Sequence, residues 1–390
     1  MSGLPLRLLV AAAVACVVLG ATAQPPAVVT FSPEELRRVL SLGPWPPPRR
    51  FDASNRVSGN AAAIAFGERL FRDTSLSGNG AIACATCHQP TRAFIDGLPR
   101  ARGIAIADRN TTTLANVGGQ RWYGWDGAND SLWAQSLRPI TDAREMNSDF
   151  ARVAARVRDD PELAARYRAA FSAAPDADDE RLAVDAAKAL AAYQETLVTG
   201  RTPFDDFRDA LARGDMVAAA RYPLLAQRGV AIFVGSGNCT FCHSGPRLSN
   251  GEFHDIGIGF FVEPGRVDPG RHEGIRKLKA NRHNLLGAWN DDPARAAPTS
   301  TRFVALEHRN FGEFKVPSLR NVARTAPYMH DGSLATLRQV VRHYSQLDED
   351  RLHADGERIL KPLGLDQYDV DALVAFLESL SEPAVPAPAR

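Results

Sequence analysis

Apolar residues recur at helical spacing in three stretches of the chain, and each stretch predicts a helix that buries one face. The first runs from Ala61 to Phe71. The second, Ala183 to Leu197, is alanine-rich with Val184, Leu190, Tyr193 and Leu197 on one side; the third, Tyr368 to Leu380, carries Val370, Leu373, Val374, Leu377 and Leu380. One local pattern occurs twice. Gly67-x-x-Leu70-Phe71 is echoed by Gly229-x-x-Ile232-Phe233, so glycine and phenylalanine stand four residues apart on one helix face in both places. Glycine there lets a second helix approach closely. Strand-like alternation is absent, and the expected fold is mainly α.

The breaks between these helices predict the organisation. Residues 24–60 are proline-rich and include Pro44-Trp45-Pro46-Pro47-Pro48, an extended arm expected to lie across the folded body. Two domains follow, 61–205 and 206–390, joined within the segment Gly200 to Asp215. Ahead of the arm, residues 1–23 combine Arg7, an apolar run from Leu8 to Leu19 and Ala21-Thr22-Ala23. That is the pattern of a secretory signal peptide, so a periplasmic protein without a membrane span is expected, and Cys16 leaves with the leader. The formal net charge of the 390 residues is +1. Nothing global therefore suggests nucleic acid or an anionic membrane as partner.

Candidate chemistry sits just beyond each glycine-phenylalanine helix. Cys84-Ala85-Thr86-Cys87-His88 and Cys239-Thr240-Phe241-Cys242-His243 share one spacing, and these four cysteines are the only ones outside the leader. Two thiols three residues apart reach the two vinyl groups of a haem, and the following histidine is placed to ligate its iron. Each pentapeptide therefore predicts one covalently bound c-type haem. A four-cysteine zinc site leaves both histidines unexplained, and thioredoxin-like redox motifs want a βαβ pattern that the chain lacks. With haem in place, the Gly67 and Gly229 helices resemble the N-terminal helix of the cytochrome c fold, which implies two cytochrome c-like haem domains in tandem.

The two motifs differ in their surroundings. No histidine lies between His88 and His243, and only Met146 and Met216 could supply a methionine sixth ligand there. If neither reaches the iron, the first haem keeps an open face for a small ligand such as peroxide. Trp125 to Gln135 predicts a short helix, capped from Asn129 to Ser131 and ending at Pro139, that carries Gln135 and Pro139 on one side. Glu145 follows in a return loop, where it is a solvated acid or, if buried, a proton shuttle. Beyond the second motif, His254, His272, His283, His308, His330, His343 and His353 are all available, as is Tyr344 on a predicted helix.

Taken together, the two haem motifs, Trp125-Asp126-Gly127, Gln135, Pro139 and Glu145, Pro317-Ser318-Leu319-Arg320-Asn321, and Pro327-Tyr328-Met329-His330-Asp331-Gly332 resemble the bacterial di-haem cytochrome c peroxidase and MauG family. The resemblance implies a peroxidatic haem on His88, an electron-transfer haem on His243, Trp125 as relay, and Gln135, Pro139 and Glu145 as the distal pocket. It also implies a calcium ion held by Asn110 and the backbone oxygens of Thr325 and Pro327. Two positions point to the MauG-like branch. Members activated by reduction often carry a distal histidine about sixteen residues past the first haem histidine, where this chain has Ile104. They also have a methionine where this chain has Tyr344, which is thereby implied as an iron ligand, with His343 beside it as the competing choice. Against a MauG-type substrate, Phe241 replaces the tryptophan of the second motif. The segment 266–310, with Lys277, Lys279, Arg282 and Trp289, is expected as a solvated loop or a docking surface. The implied activity is reduction of hydrogen peroxide with electrons from a small periplasmic redox protein. The alternatives are oxidation of side chains on a partner protein and a non-enzymatic di-haem electron carrier.

Overall fold

The computed structural model describes residues 28–176, 178–259, 261–295, 298–356 and 359–383. The signal-peptide reading of residues 1–23 lies outside them. The fold is mainly helical, with 43% helix. Its strands are short: Phe253–His254 pairs antiparallel with Phe314–Lys315, and Phe261–Glu263 with Arg266–Val267.

Two helix pairs organise the chain, and glycine sets the approach of each. In the first, Ala61–Phe71 crosses Asp179–Gln194; a Cβ on Gly67 would lie 2.0 Å from the Ala189 carbonyl oxygen. In the second, Leu224–Val234 crosses Gln367–Ser379, and a Cβ on Gly229 would lie 2.1 Å from the Ala372 carbonyl oxygen. One turn further along, Phe71 meets Tyr193 with ring centroids 5.3 Å apart, and Phe233 meets Phe376 at 4.9 Å. The repeated sequence pattern is thus a repeated packing device. The second helix of the first pair begins at Asp179, earlier than the apolar pattern suggests, because the Asp178 carboxylate caps it by accepting the Arg181 N–H.

Each pair centres its own hydrophobic cluster. One holds Phe66, Leu70, Leu132, Trp133, Val153, Leu163 and the buried face of Asp179–Gln194; the other holds Phe204, Phe207, Val230, Phe233, Val341, Leu373 and Phe376. Two segments pack away from their neighbours in sequence. Val39 and Leu42 of the N-terminal arm join the second cluster, whereas Leu285 of the 266–310 segment joins the first.

The structure corrects three expectations. The arm is not wholly extended: Pro33–Ser41 forms a helix, closed by a capping box between Ser32 and Glu35 with proline at its first turn. The helix carrying Gln135 runs through Pro139 to Thr141, since proline removes only the bond to the carbonyl four residues back and the Asp142 N–H still bonds the Arg138 carbonyl. The 266–310 segment is neither a solvated loop nor a free docking surface along its length. It contains the helix Arg271–Ala280, and Trp289 packs against the first cluster. There the buried Lys188 Nζ donates to the Trp289 carbonyl (2.8 Å) and to Asp291 Oδ2 (2.6 Å). Lys277, Lys279 and Arg282 remain exposed.

Candidate active site

The two pentapeptides occupy equivalent places. Cys84–Cys87 is a single helical turn after the Gly67 helix, and Cys239–Phe241 a 3-10 turn after the Gly229 helix. All four thiols are half-buried and none is in a disulfide. His88 Nδ1 lies 3.2 Å from the Phe94 carbonyl oxygen, and His243 Nδ1 lies 3.0 Å from that of Leu248. Burial holds the His88 ring below its ordinary value and that of His243 down to about 4, so both are neutral imidazoles. An Nδ1–H committed to a carbonyl leaves the Nε2 lone pair for a metal. Thiol pairs and oriented imidazoles fit two c-type haems.

The other residues expected at the first haem come from the Leu132–Thr141 helix and the loop after it. Ser131 caps that helix by accepting the Ala134 N–H. Gln135, Arg138 and Pro139 form its half-buried side, while Leu132, Trp133, Leu137 and Ile140 enter the core. Asn129 Nδ2 donates to Gln135 Oε1 (2.9 Å), and Asn281 Nδ2 of the 266–310 segment donates to Asn129 Oδ1 (3.1 Å). The Gln135 carboxamide is therefore held with its Nε2–H donors available.

Glu145 lies in the loop after that helix. It adds to the raising of the Cys84 and Cys87 thiols, behind the larger effect of burial and, for Cys87, of Asp96. Arg138 Nη1 forms an ion pair with Glu145 Oε1 at 2.6 Å. The loop holding Ile104 docks on the Glu145 backbone, with the Ile104 N–H donating to the Glu145 carbonyl (3.0 Å) and the Ala105 N–H to that of Arg144 (2.9 Å). Gly103 is required by this approach, because a Cβ would lie 2.4 Å from the Glu145 carbonyl oxygen. Ile104 thus stands beside Glu145. Met146 is buried in the first cluster and Met216 is exposed.

Trp125 lies where segments of both halves meet. Its Nε1–H donates to the Asn110 carbonyl (2.9 Å), and its own carbonyl accepts the Lys315 N–H (2.8 Å). The Asn110 N–H donates in turn to the His330 carbonyl, and the His330 ring stacks on Phe314 with centroids 3.5 Å apart. Behind Trp125, Arg109 bridges Asp126 (2.7 Å) and Asp268 (2.6 Å). Burial alone would raise the Asp126 carboxyl, but Arg109 pulls it down to about 2.

Asn110 Nδ2 donates to the Leu98 carbonyl. Asn110 Oδ1 and the backbone oxygens of Thr325 and Pro327 accept no hydrogen bond among the described residues. A side-chain amide oxygen and two backbone carbonyls are the type of oxygen donor that a hard cation such as calcium takes.

On the second side, burial raises the Tyr344 phenol, and Cys242 and Cys239 add to the shift. Its hydroxyl has no hydrogen-bond partner among the described residues. His343 is turned away, with Nε2 2.7 Å from the Ile256 carbonyl oxygen. The Pro317–Asn321 stretch clamps the loop after His243. Ser318 Oγ donates to the Arg247 carbonyl (2.7 Å), Arg320 Nε donates to the Pro246 carbonyl, and the buried Arg320 guanidinium pairs with both oxygens of Asp205.

The comparisons with known proteins agree with this arrangement. The sequence model described as di-haem cytochrome c peroxidase matches residues 61–213. The methylamine utilization protein MauG of Methylorubrum extorquens is 36% identical over 324 residues, covering 82% of this chain and 79% of that one. The chain belongs to the di-haem cytochrome c peroxidase family.

Within that family the cytochrome-c peroxidase IdrP2 of a Pseudomonas species is 31% identical over 348 residues, covering 88% of this chain and 85% of the relative. A solved MauG-like protein associated with microbial copper homeostasis superposes with a TM-score of 0.67 at 26% identity, covering 89% of this chain and 96% of the other. Di-haem peroxidase family membership makes the protein a haem-dependent oxidoreductase. No helix among the described residues is long and apolar enough to cross a membrane.

Sequence reasoning named the haem motifs, Gln135, Pro139, Glu145, Trp125 and Tyr344, but not the residues that bond to them. Asn129 was legible only as part of a helix cap. Arg138, Asn281, Arg109 and Asp268 carry no local signal, because each meets its partner through the tertiary fold.

Proposed function

We propose that the protein is a periplasmic peroxidase of two tandem cytochrome c-like haem domains that reduces hydrogen peroxide to water with electrons from a small redox protein. The carrying observation is the set of polar groups on the Leu132–Thr141 helix and the loop after it. Gln135 and Glu145 are each held by a dedicated partner there, and the loop docked on Glu145 presents Ile104, which cannot ligate iron. Bound at the two motifs, c-type haem supplies redox-active iron that exchanges electrons with peroxide oxygen.

The chain's own groups then divide the work. The Gln135 carboxamide, fixed through Asn129, donates a hydrogen bond that orients peroxide. Glu145 takes the proton from one oxygen and returns it to the other, while Arg138 keeps the carboxylate in place. Pro139, one turn beyond Gln135, adds a wall without a donor. Trp125 passes oxidising equivalents between the halves, and a calcium ion at Asn110, Thr325 and Pro327 would hold its hydrogen-bond partner. With haem bound, Tyr344 would be the group that ligates the second iron and lowers its potential.

Tyr344 also favours a second reading. With a phenolate there the second haem is a poor reservoir for an ordinary electron, so the enzyme draws its two electrons from side chains of a partner protein. The test is one equivalent of hydrogen peroxide added to the diferric protein without reductant, followed by stopped-flow spectroscopy. Rapid, lasting bleaching of the ferric Soret band is expected. No reaction until the second haem is reduced would refute both the open pocket and Tyr344 as the group that sets the potential.

A further inference from the structure

Away from both haem motifs, two histidines and an aspartate come together on the surface. His308 lies at the end of the 266–310 segment, and His353 and Asp355 in the loop before the last helix. We propose that His308, His353 and Asp355 form a binding site for a divalent transition-metal ion of the copper(II) or zinc(II) class.

The ligand atoms of the three side chains all lie within 4.8 Å of one another. His308 Nδ1 is 2.7 Å from Asp355 Oδ2, and His353 Nδ1 accepts the Asp355 backbone N–H at 3.2 Å, a bond that an ion entering at that nitrogen takes over. The ring centroids are 4.9 Å apart. Ligands bound at ~2.0–2.1 Å to a tetrahedral ion lie ~3.3–3.5 Å from one another. The cluster therefore needs to close by about an ångström, and the exposed His308 and Asp355 side chains can do that by rotation. An entering ion replaces the hydrogen bond between His308 and Asp355.

The backbone around the cluster is prepared. The His353 N–H donates to Asp255 Oδ2 (2.7 Å), and the turn at His308 is closed by the Glu307 N–H donating to Asn310 Oδ1 (2.9 Å). Two imidazoles and one carboxylate, without thiolate, select copper(II) or zinc(II) over copper(I), calcium or magnesium. Solvent fills the remaining positions, so the ion is exchangeable. Its site lies on the second-haem side: Asp255 follows His254, whose ring is 6.1 Å from Phe241 of the second motif. Bound metal would tie the 308 turn to the 353 loop there.

The holoprotein, dialysed against chelator, is titrated with copper(II) and followed by calorimetry and electron paramagnetic resonance. One ion per chain is expected, with an axial copper signal split by nitrogen and an unchanged Soret band. His308→Ala, His353→Ala and Asp355→Asn should each weaken binding about tenfold or more, and zinc(II) should displace the copper. All three sites lie on the surface, so folding is checked simply by the intact haem spectrum. Stoichiometric binding that survives the His308→Ala, His353→Ala double variant, loss that tracks His272→Ala instead, or no binding at all would overturn the assignment.

Discussion

Replacing Gly67 with alanine opposes two effects of known sign. Helix propensity alone favours the change by ~0.8–1.0 kcal/mol. Packing opposes it, because the new Cβ would stand 2.0 Å from the Ala189 carbonyl oxygen. An ordinary carbon–oxygen contact is ~3.3 Å, so the Ala61–Phe71 and Asp179–Gln194 helices must separate by about 1.3 Å. The obstacle is backbone in the middle of a helix, and no rotamer change relieves it. Overpacking of this kind costs ~1–3 kcal/mol; at the upper end of that range, less the propensity gain, Gly67→Ala should lose about 2 kcal/mol. Gly229→Ala, 2.1 Å from the Ala372 carbonyl oxygen, should behave alike. Urea unfolding of the holoprotein, followed by far-ultraviolet dichroism and the Soret band, measures both. Resonance Raman should show Gly67→Ala disturbing the His88 haem and Gly229→Ala the His243 haem. A neutral or stabilised Gly67→Ala protein would refute the close helix crossing.

Glu145→Gln keeps the shape of the pocket but removes the proton carrier, and peroxide consumption should fall by ~10²–10⁴-fold with the haem spectra unchanged. Asp291→Ala leaves the buried Lys188 ammonium with the Trp289 carbonyl as its remaining hydrogen-bond acceptor. It should cost about 2–3 kcal/mol, less than the ~3–5 kcal/mol of a fully buried pair, and should expose residues 281–295 to limited proteolysis; the Lys188→Met, Asp291→Ala double variant should recover much of the loss. Glu195 gives a pH signature. Burial raises its carboxyl from 4.5 to about 7, although Ser58 Oγ donates to it at 2.6 Å. The folded state therefore binds its proton more tightly than the unfolded state. That stability is fully present below about pH 4.5 and is lost as pH rises through about 7. Glu195→Gln should flatten the fall in denaturation midpoint across that window, and an unchanged slope would exclude Glu195 as its source.

What the sequence determined by itself is local or strictly periodic. The Cys84–His88 and Cys239–His243 pentapeptides place two thiols and an imidazole within one turn of backbone, so their chemistry is legible without a fold. The Ala61–Phe71 helix and the doubled Gly67 and Gly229 pattern follow from spacing, since glycine on the buried face of a helix needs a partner that close. Tertiary structure alone decided which partners meet. Arg138 holds Glu145, Asn281 reaches Gln135 through Asn129, and Arg109 joins Asp126 to Asp268, each across a turn or between segments with no shared period. The crossing of the N-terminal arm to the second cluster and of the 266–310 segment to the first was also invisible, although Val39, Leu42 and Leu285 are plainly apolar. Hydrophobic burial says that a side chain leaves water, and it is non-directional. Which of two similar cores receives it depends on the path of the whole chain.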